Sequence, residues 1–218
     1  FNPQQTQKQL LVWMHGLGDQ PSSFFSFAQD VVQRFPQTLV CLPKAHIMPV
    51  TINQGMSMHA WYDIISLTDR TQQDTQGMKA SALQLESLIE NICTDQGIDR
   101  QKVVVGGFSQ GAVMALCLVQ QAIKLYAGMI IASGYLPLDA SWKQHASKTK
   151  GLWLHGQMDD VVPWHLAKEG REQLKSMGFC IDIYDEPNLG HGISFDQWQA
   201  ILQWLADAMW SSDGLTSR

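Results

Sequence analysis

The sequence predicts an α/β domain in which a mostly parallel sheet carries helices on both faces. Two observations lead there. Short apolar, β-branched runs alternate along the 218 residues with segments whose apolar positions recur at helical spacing. In the middle of the chain, Gly107-Phe108-Ser109-Gln110-Gly111 joins the run Lys102-Val103-Val104-Val105 to the apolar stretch Ala112 to Val119. A serine bracketed by glycines between a strand and a helix is the context of a nucleophile elbow.

The elements follow in order. Leu10 to Met14 reads as a buried strand that ends in His15-Gly16-Leu17-Gly18-Asp19. Ser22 or Ser23 is expected to cap a helix with Phe24, Phe27, Val31 and Phe35 on one stripe and Pro36 just beyond. Thr38 to Leu42 is a second strand. The segment from Pro43 to Thr71 is rich in Pro, Met and Gly and carries no helical stripe long enough for a closing lid. Met78, Ala82, Leu85, Ile89 and Ile92 then form the stripe of a helix stopped by Gly97. The elbow strand and its helix come next, and residues 112–119, apolar on every face, predict a buried helix. Strands follow at Gly128 to Ala132, Gly151 to His155 and Cys180 to Tyr184, the last two joined by a helix from Trp164 to Met177 with Gly178 as its stop. Ser194-Phe195-Asp196-Gln197 forms a capping box for the last helix, whose stripe is Phe195, Trp198, Leu202, Leu205 and Met209. With no repeat, low-complexity tract or linker, residues 1–218 are expected to form a single domain.

Composition narrows the function classes. The net charge is −5, only 16% of residues are charged, and no cluster of Lys or Arg is present, which argues against nucleic acid or an anionic membrane surface as partner. So lightly charged a surface is compatible with a homodimer. No apolar run approaches the length of a membrane span, so integral membrane association is not expected. Cys41, Cys93, Cys117 and Cys180 are widely separated and lie mostly among apolar neighbours, without the paired spacing of a zinc site. They read as reduced core cysteines, consistent with a cytoplasmic location. No metal and no cofactor is implied.

In a parallel sheet with right-handed crossovers, the loops that follow the strands share one edge. Ser109, the pair Asp159 and Asp160, and His191 all fall on such loops, in the order nucleophile, acid, base. A serine hydroxyl becomes nucleophilic only when a neighbouring imidazole takes its proton. An imidazole titrates near neutrality, so it can accept that proton and return it to a leaving group. A buried carboxylate holds the ring in one tautomer and stabilises its charged form. Spacing does not separate Asp159 from Asp160. The N–H of Gln110, at the helix start, and that of Leu17, in the glycine-rich loop after the first strand, are the natural donors to a developing oxyanion. The other histidines fit less well. His155 lies inside a strand and reads as structural; His165 follows the acid too closely. His46, His59 and His145 lack partners, and His15 is placed to brace the oxyanion loop. Asp182, Asp185 and Glu186 read as structural or solvated charges.

The chain resembles the small carboxylesterase, lysophospholipase and acyl-protein thioesterase family of α/β-hydrolases. The resemblance rests on His15-Gly16-Leu17-Gly18-Asp19, Pro49-Val50-Thr51-Ile52-Asn53, Met58-His59-Ala60-Trp61-Tyr62-Asp63-Ile64, the elbow, His155-Gly156-Gln157-Met158-Asp159 with Val161-Val162-Pro163, and Gly190-His191. It implies the α/β-hydrolase fold without a large lid domain, selects Asp159 as the acid, and places the oxyanion donors on Leu17 and Gln110. Two departures are Ala112, where many relatives carry a second Gly, and Lys44-Ala45-His46 in place of a more Ala-Pro-rich approach to Pro49. The expected activity is hydrolysis of short to medium-chain carboxylic esters, with acyl-protein thioesterase or lysophospholipase action as the alternative. The small-molecule substrate would be an ester or acyl thioester. Cys-dependent dienelactone hydrolysis is disfavoured because residue 109 is Ser. A non-catalytic binding module is disfavoured by the full set Ser109, Asp159 and His191. Met48, Met56, Met58 and Trp61 are expected to line an acyl groove, flexible methionines suiting chains of different length.

Overall fold

The computed structural model describes residues 6–66, 72–137 and 148–209. In chain order the elements are β1 (Gln9–Met14), α1 (Phe25–Arg34), β2 (Thr38–Cys41), β3 (Ile47–Val50), β4 (Met56–His59), α2 (Thr75–Gln96) and β5 (Val103–Phe108). After them come α3 (Gln110–Gln121), β6 (Gly128–Ala132), β7 (Lys150–Gly156), α4 (Trp164–Ser176), β8 (Ile181–Glu186) and α5 (Phe195–Trp204).

Six strands form one sheet in the order β2-β1-β5-β6-β7-β8, every neighbouring pair parallel. Successive side chains leave a strand on opposite faces, so each buried strand feeds two cores. Leu10, Val12 and Met14 of β1 join Val103 and Val105 of β5 beneath α2, α3 and α4. Leu11 and Trp13 join Val104 on the other face, against α1 and α5. Helix α3 is buried on every side, as its uniformly apolar sequence requires, between the sheet and α2. This is the α/β-hydrolase fold, with no large lid inserted among the described residues. The chain leaves β1 toward one edge of the sheet and β5 toward the other, so the loops after these two strands diverge at their carboxyl ends, where such folds bind ligands.

Several local expectations are corrected. Neither Ser22 nor Ser23 caps α1; Pro21 opens a 3₁₀ turn (Pro21–Phe24), and Ser23 donates to the Asp19 carboxylate instead. Residues 47–59 form an antiparallel hairpin of β3 and β4, with Pro49 opposite Ser57. The proline is tolerated because this two-stranded ribbon is all edge. The end of the Pro43–Thr71 segment, residues 67–71, lies outside the described residues, as does His145. In α5, Ser194 caps by accepting from the Gln197 N–H, but the Gln197 side chain does not return the bond. Phe195 is 72% exposed, while Gln197, Ile201, Leu202 and Trp204 face inward, so the buried stripe is rotated away from Phe195. The side chain of Met209 lies outside the described residues. All four cysteines are free; Cys93 and Cys117 are buried, whereas Cys180 is exposed rather than part of the core.

Candidate active site

The site is built on the tightest turn in the sheet. Ser109 holds φ 54° and ψ −116°, a left-handed conformation that a non-glycine residue adopts only when its surroundings enforce it. They do so sterically. A Cβ on Gly107 would stand 2.6 Å from the Met14 carbonyl oxygen, and one on Gly111 only 2.1 Å from the same atom. β5, the elbow and the first turn of α3 are therefore pressed directly against the end of β1, a contact open only to glycine. The Ser109 N–H donates to Ala132 at the end of β6, which closes the turn against the neighbouring strand.

Ser109, Asp159 and His191, gathered from loops after β5, β7 and β8, form one hydrogen-bonded line. His191 Nε2 lies 2.9 Å from Ser109 Oγ, and His191 Nδ1 lies 2.8 Å from Asp159 Oδ2. A carboxylate can only accept, so Nδ1 carries the hydrogen and Nε2 presents its lone pair to the serine hydroxyl. Gly156 makes this register possible: a Cβ there would stand 2.2 Å from the Leu189 carbonyl oxygen and 2.5 Å from that of Gly190. The loop bearing His191 thus lies flat on the end of β7. The imidazole rests on the Phe108 ring at 4.9 Å, and the Ser133 hydroxyl donates to the carbonyl of the adjacent Gly192.

Asp159 is deeply held. Its Oδ1 accepts from the N–H groups of Val161 (3.0 Å) and Val162 (2.8 Å). Burial by itself pushes the carboxyl up, but hydrogen bonds from His155, His191 and the Val162 N–H overcome it and hold Asp159 well below the ordinary carboxylate range. Asp160 is exposed and makes none of these bonds.

Leu17 and Gln110 both border the cavity over Ser109. The Gln110 N–H is the first of α3, where the helix offers no acceptor, and the helix dipole favours negative charge there. Its side chain has a second task that sequence reasoning missed. Oε1 accepts from the Trp61 N–H at 2.9 Å while Nε2 donates to the Tyr62 carbonyl at 2.7 Å. One buried amide thereby ties the start of α3 to the cavity wall. His15 braces the loop that follows β1. Its Nε2 accepts from the Ala45 N–H at 3.1 Å, so the ring hydrogen is on Nδ1, which donates to the Gly16 carbonyl at 2.7 Å. Burial pushes the His15 pKa down, keeping the ring neutral.

The cavity holds about 300 Å³, the lower end of the range for small-molecule pockets. Besides the residues already named, its wall is Ile52, Asn53, Tyr62, Ile64, Tyr135, Val161 and Val162. The Tyr62 and Tyr135 hydroxyls meet at 3.1 Å, and burial raises the Tyr62 pKa, so that its hydroxyl keeps its proton. None of Met48, Met56, Met58 and Trp61 borders this cavity. Met56 is 66% exposed on the hairpin, and the Met58 sulfur accepts from Asn53. Met48 pairs with Met58 across the hairpin. Trp61 is buried beneath the loop that follows β1, its indole N–H donating to the His15 carbonyl. The hairpin instead delivers its turn residues, Ile52 and Asn53. The Pro49–Asn53 motif marked this stretch, but without the hairpin its methionines looked like the better wall.

A profile of the Phospholipase/Carboxylesterase family matches residues 1–209. The chain is 33% identical to acyl-protein thioesterase 1 of Yarrowia lipolytica, over 90% of each chain. Among solved structures it is similar to SOBER1 of Arabidopsis thaliana, with a TM-score of 0.84, 26% identity and coverage of 91% of this chain and 97% of that one. It is also similar to Zea mays acyl-protein thioesterase 2, with a TM-score of 0.77, 25% identity and coverage of 96% and 97%. The sheet, the elbow and the loops that converge on it are thus those of a known group of hydrolases, and the chain belongs to the phospholipase/carboxylesterase family.

Proposed function

We propose that the protein hydrolyses acyl thioesters and carboxylic esters of short to medium acyl chain through an acyl-enzyme on Ser109. The observation that carries this reading is the unbroken line from Ser109 Oγ through the His191 ring to Asp159 Oδ2. Ser109 Oγ attacks the acyl carbon as its proton passes to His191 Nε2, and the carbonyl π pair moves onto oxygen. That oxyanion lies between the N–H groups of Leu17 and Gln110. The tetrahedral species collapses, the bond to sulfur or oxygen of the leaving group breaks, and His191 returns the proton to the departing thiol or alcohol. Water then attacks the acyl-enzyme with His191 again as base, releasing the carboxylic acid and restoring the serine. Throughout, Asp159 keeps the ring in the Nδ1–H tautomer and stabilises its charged form.

Sequence reasoning ranked simple esters above thioesters. The relatives named as acyl-protein thioesterases reverse that order, because the match to them spans nearly the whole chain. The test is a matched pair of butyryl and octanoyl substrates, each as thioester and as oxoester, with kcat/KM measured for wild type and Ser109→Ala. Turnover of both classes, thioester ahead and abolished in the variant, is the expected result. Turnover of the oxoesters alone would return the assignment to simple esterase, and serine-independent turnover would remove it.

A further inference from the structure

The mechanism uses three polar side chains at the ends of β5, β7 and β8, and leaves a fourth unexplained. His155, near the end of β7, is wholly buried. Its strand neighbours Leu152, Trp153 and Leu154 are apolar, and an aliphatic residue would suit such a position without the cost of burying an imidazole. The cost is real, since His155 Nδ1 has no hydrogen-bond partner among the described residues. A polar ring kept at this expense calls for a compensating task.

Its other nitrogen supplies one. His155 Nε2 lies 2.8 Å from the Val162 carbonyl oxygen and 3.3 Å from Asp159 Oδ2. Both are acceptors, so Nε2 carries the hydrogen and shares it between them. Val162 in turn donates its own N–H to Asp159 Oδ1. His155 therefore spans the loop from 155 to 162, closing it at Val162 and touching the carboxylate in its middle. Asp159 then has a donor at each of its four acceptor positions: Val161 and Val162 on Oδ1, His191 and His155 on Oδ2.

We infer that His155 is a positioning residue for the acid: a buried donor whose Nε2 hydrogen fixes the Asp159 carboxylate and closes its loop at Val162. The inference rests on the reading of Asp159 and His191 as acid and base. A glutamine supplies an N–H without charge, whereas phenylalanine keeps the ring volume and loses the donor. Because Val161 and Val162 also border the cavity, the same clamp joins the acid loop to the substrate wall.

The experiment compares wild type, His155→Phe and His155→Gln by steady-state kinetics, thermal unfolding and proton NMR of the hydrogen shared by His191 and Asp159. His155→Phe is expected to lower kcat by about ten-fold, the scale of an outer-shell partner. KM should stay within about two-fold, as expected of an interaction that acts on the reacting groups alone. The shared-proton resonance should shift or broaden, and His155→Gln should recover most of both losses. A purely structural histidine predicts otherwise: His155→Phe would lower Tm while leaving kcat per folded molecule and the resonance unchanged, or Gln would do no better than Phe. Either outcome overturns the inference. Should the Phe variant fail to fold, ¹⁵N-histidine-labelled wild type decides: a hydrogen on His155 Nε2 supports the clamp, and a ring protonated on Nδ1 alone refutes it. Loss of the triad reading would show separately, as turnover that survives Ser109→Ala.

Discussion

Gly111, in the first turn of α3, and Met14, at the end of β1, stand closer than any side chain allows: a Cβ on Gly111 would lie 2.1 Å from the Met14 carbonyl oxygen. That contact seats the turn bearing Ser109 on the strand whose following residues, Gly16 and Leu17, border the cavity. Replacing Gly111 by Ala forces backbone apart, because the atoms met are carbonyls and not the end of a flexible side chain. Gly111→Ala is expected to destabilise the fold by about 3 kcal/mol or more and to abolish serine labelling. Urea unfolding with a matched activity assay checks this. A stable, active Ala variant would show that the elbow can sit elsewhere.

The two adjacent aspartates offer a sharp contrast. Asp159→Asn leaves the shape of the site but favours the wrong tautomer of His191, and kcat is expected to fall by about 10⁴-fold. Asp160→Asn, at an exposed position outside the hydrogen-bonded line, should change kcat by less than about three-fold. Stopped-flow and steady-state rates on one soluble ester decide it, and the reverse ranking would move the acid to Asp160.

The depressed pKa of Asp159 has a consequence for stability. A carboxyl whose folded pKa lies below its unfolded value contributes stability that is fully present above the ordinary carboxylate pKa, about 3.9. The contribution is lost as pH falls from there toward the folded value. The stability difference between wild type and Asp159→Asn should therefore be largest at neutral pH and shrink below about pH 4. Denaturant midpoints at pH 7 and pH 3 measure it. A difference equal at both values would mean that the carboxylate is not held by its donors in the folded state.

Substrate length should follow the cavity. About 300 Å³ accommodates roughly ten water-sized groups of ~30 Å³, and each buried methylene adds about 0.8 kcal/mol while space remains. kcat/KM is expected to rise from acetyl to roughly butyryl–octanoyl chains and then level or fall, with emulsified triolein a poor substrate. Ile64→Trp, in the wall, should shorten the preferred chain, whereas Met56→Ala, exposed on the hairpin, should not. A chain-length series on these variants tests which residues form the acyl wall. A shift caused by Met56 and not by Ile64 would restore the methionine groove.

What the sequence disclosed, and what it hid, follows from how local each signal is. The parallel sheet was legible because β1, β5 and β6 are buried on both faces and read as continuous apolar runs. The positions of Ser109 and His191 were legible because glycines and flanking elements define those turns within a few residues. The β3–β4 hairpin was obscured because a two-sided edge ribbon needs no clean alternation and carries Pro49. Without the hairpin in view, nothing in the sequence distinguishes Ile52 and Asn53, which border the cavity, from Met48, Met56 and Met58, which do not. The Gln110 clamp on Trp61 and Tyr62 joins residues nearly fifty positions apart, and nothing in local composition announces it. His155 looked like an ordinary strand histidine for the same reason: its partner Asp159 is near in sequence, but the sharing of its hydrogen is a matter of tertiary geometry.

The central claim is that Ser109 carries the acyl group, and the most direct measurement is active-site labelling with a fluorophosphonate followed by peptide mass spectrometry. One phosphonate per chain on Ser109, blocked by substrate, absent from Ser109→Ala and strongly slowed in His191→Ala, is the predicted result. Labelling at another residue, or ester and thioester turnover that persists in Ser109→Ala, would contradict the account.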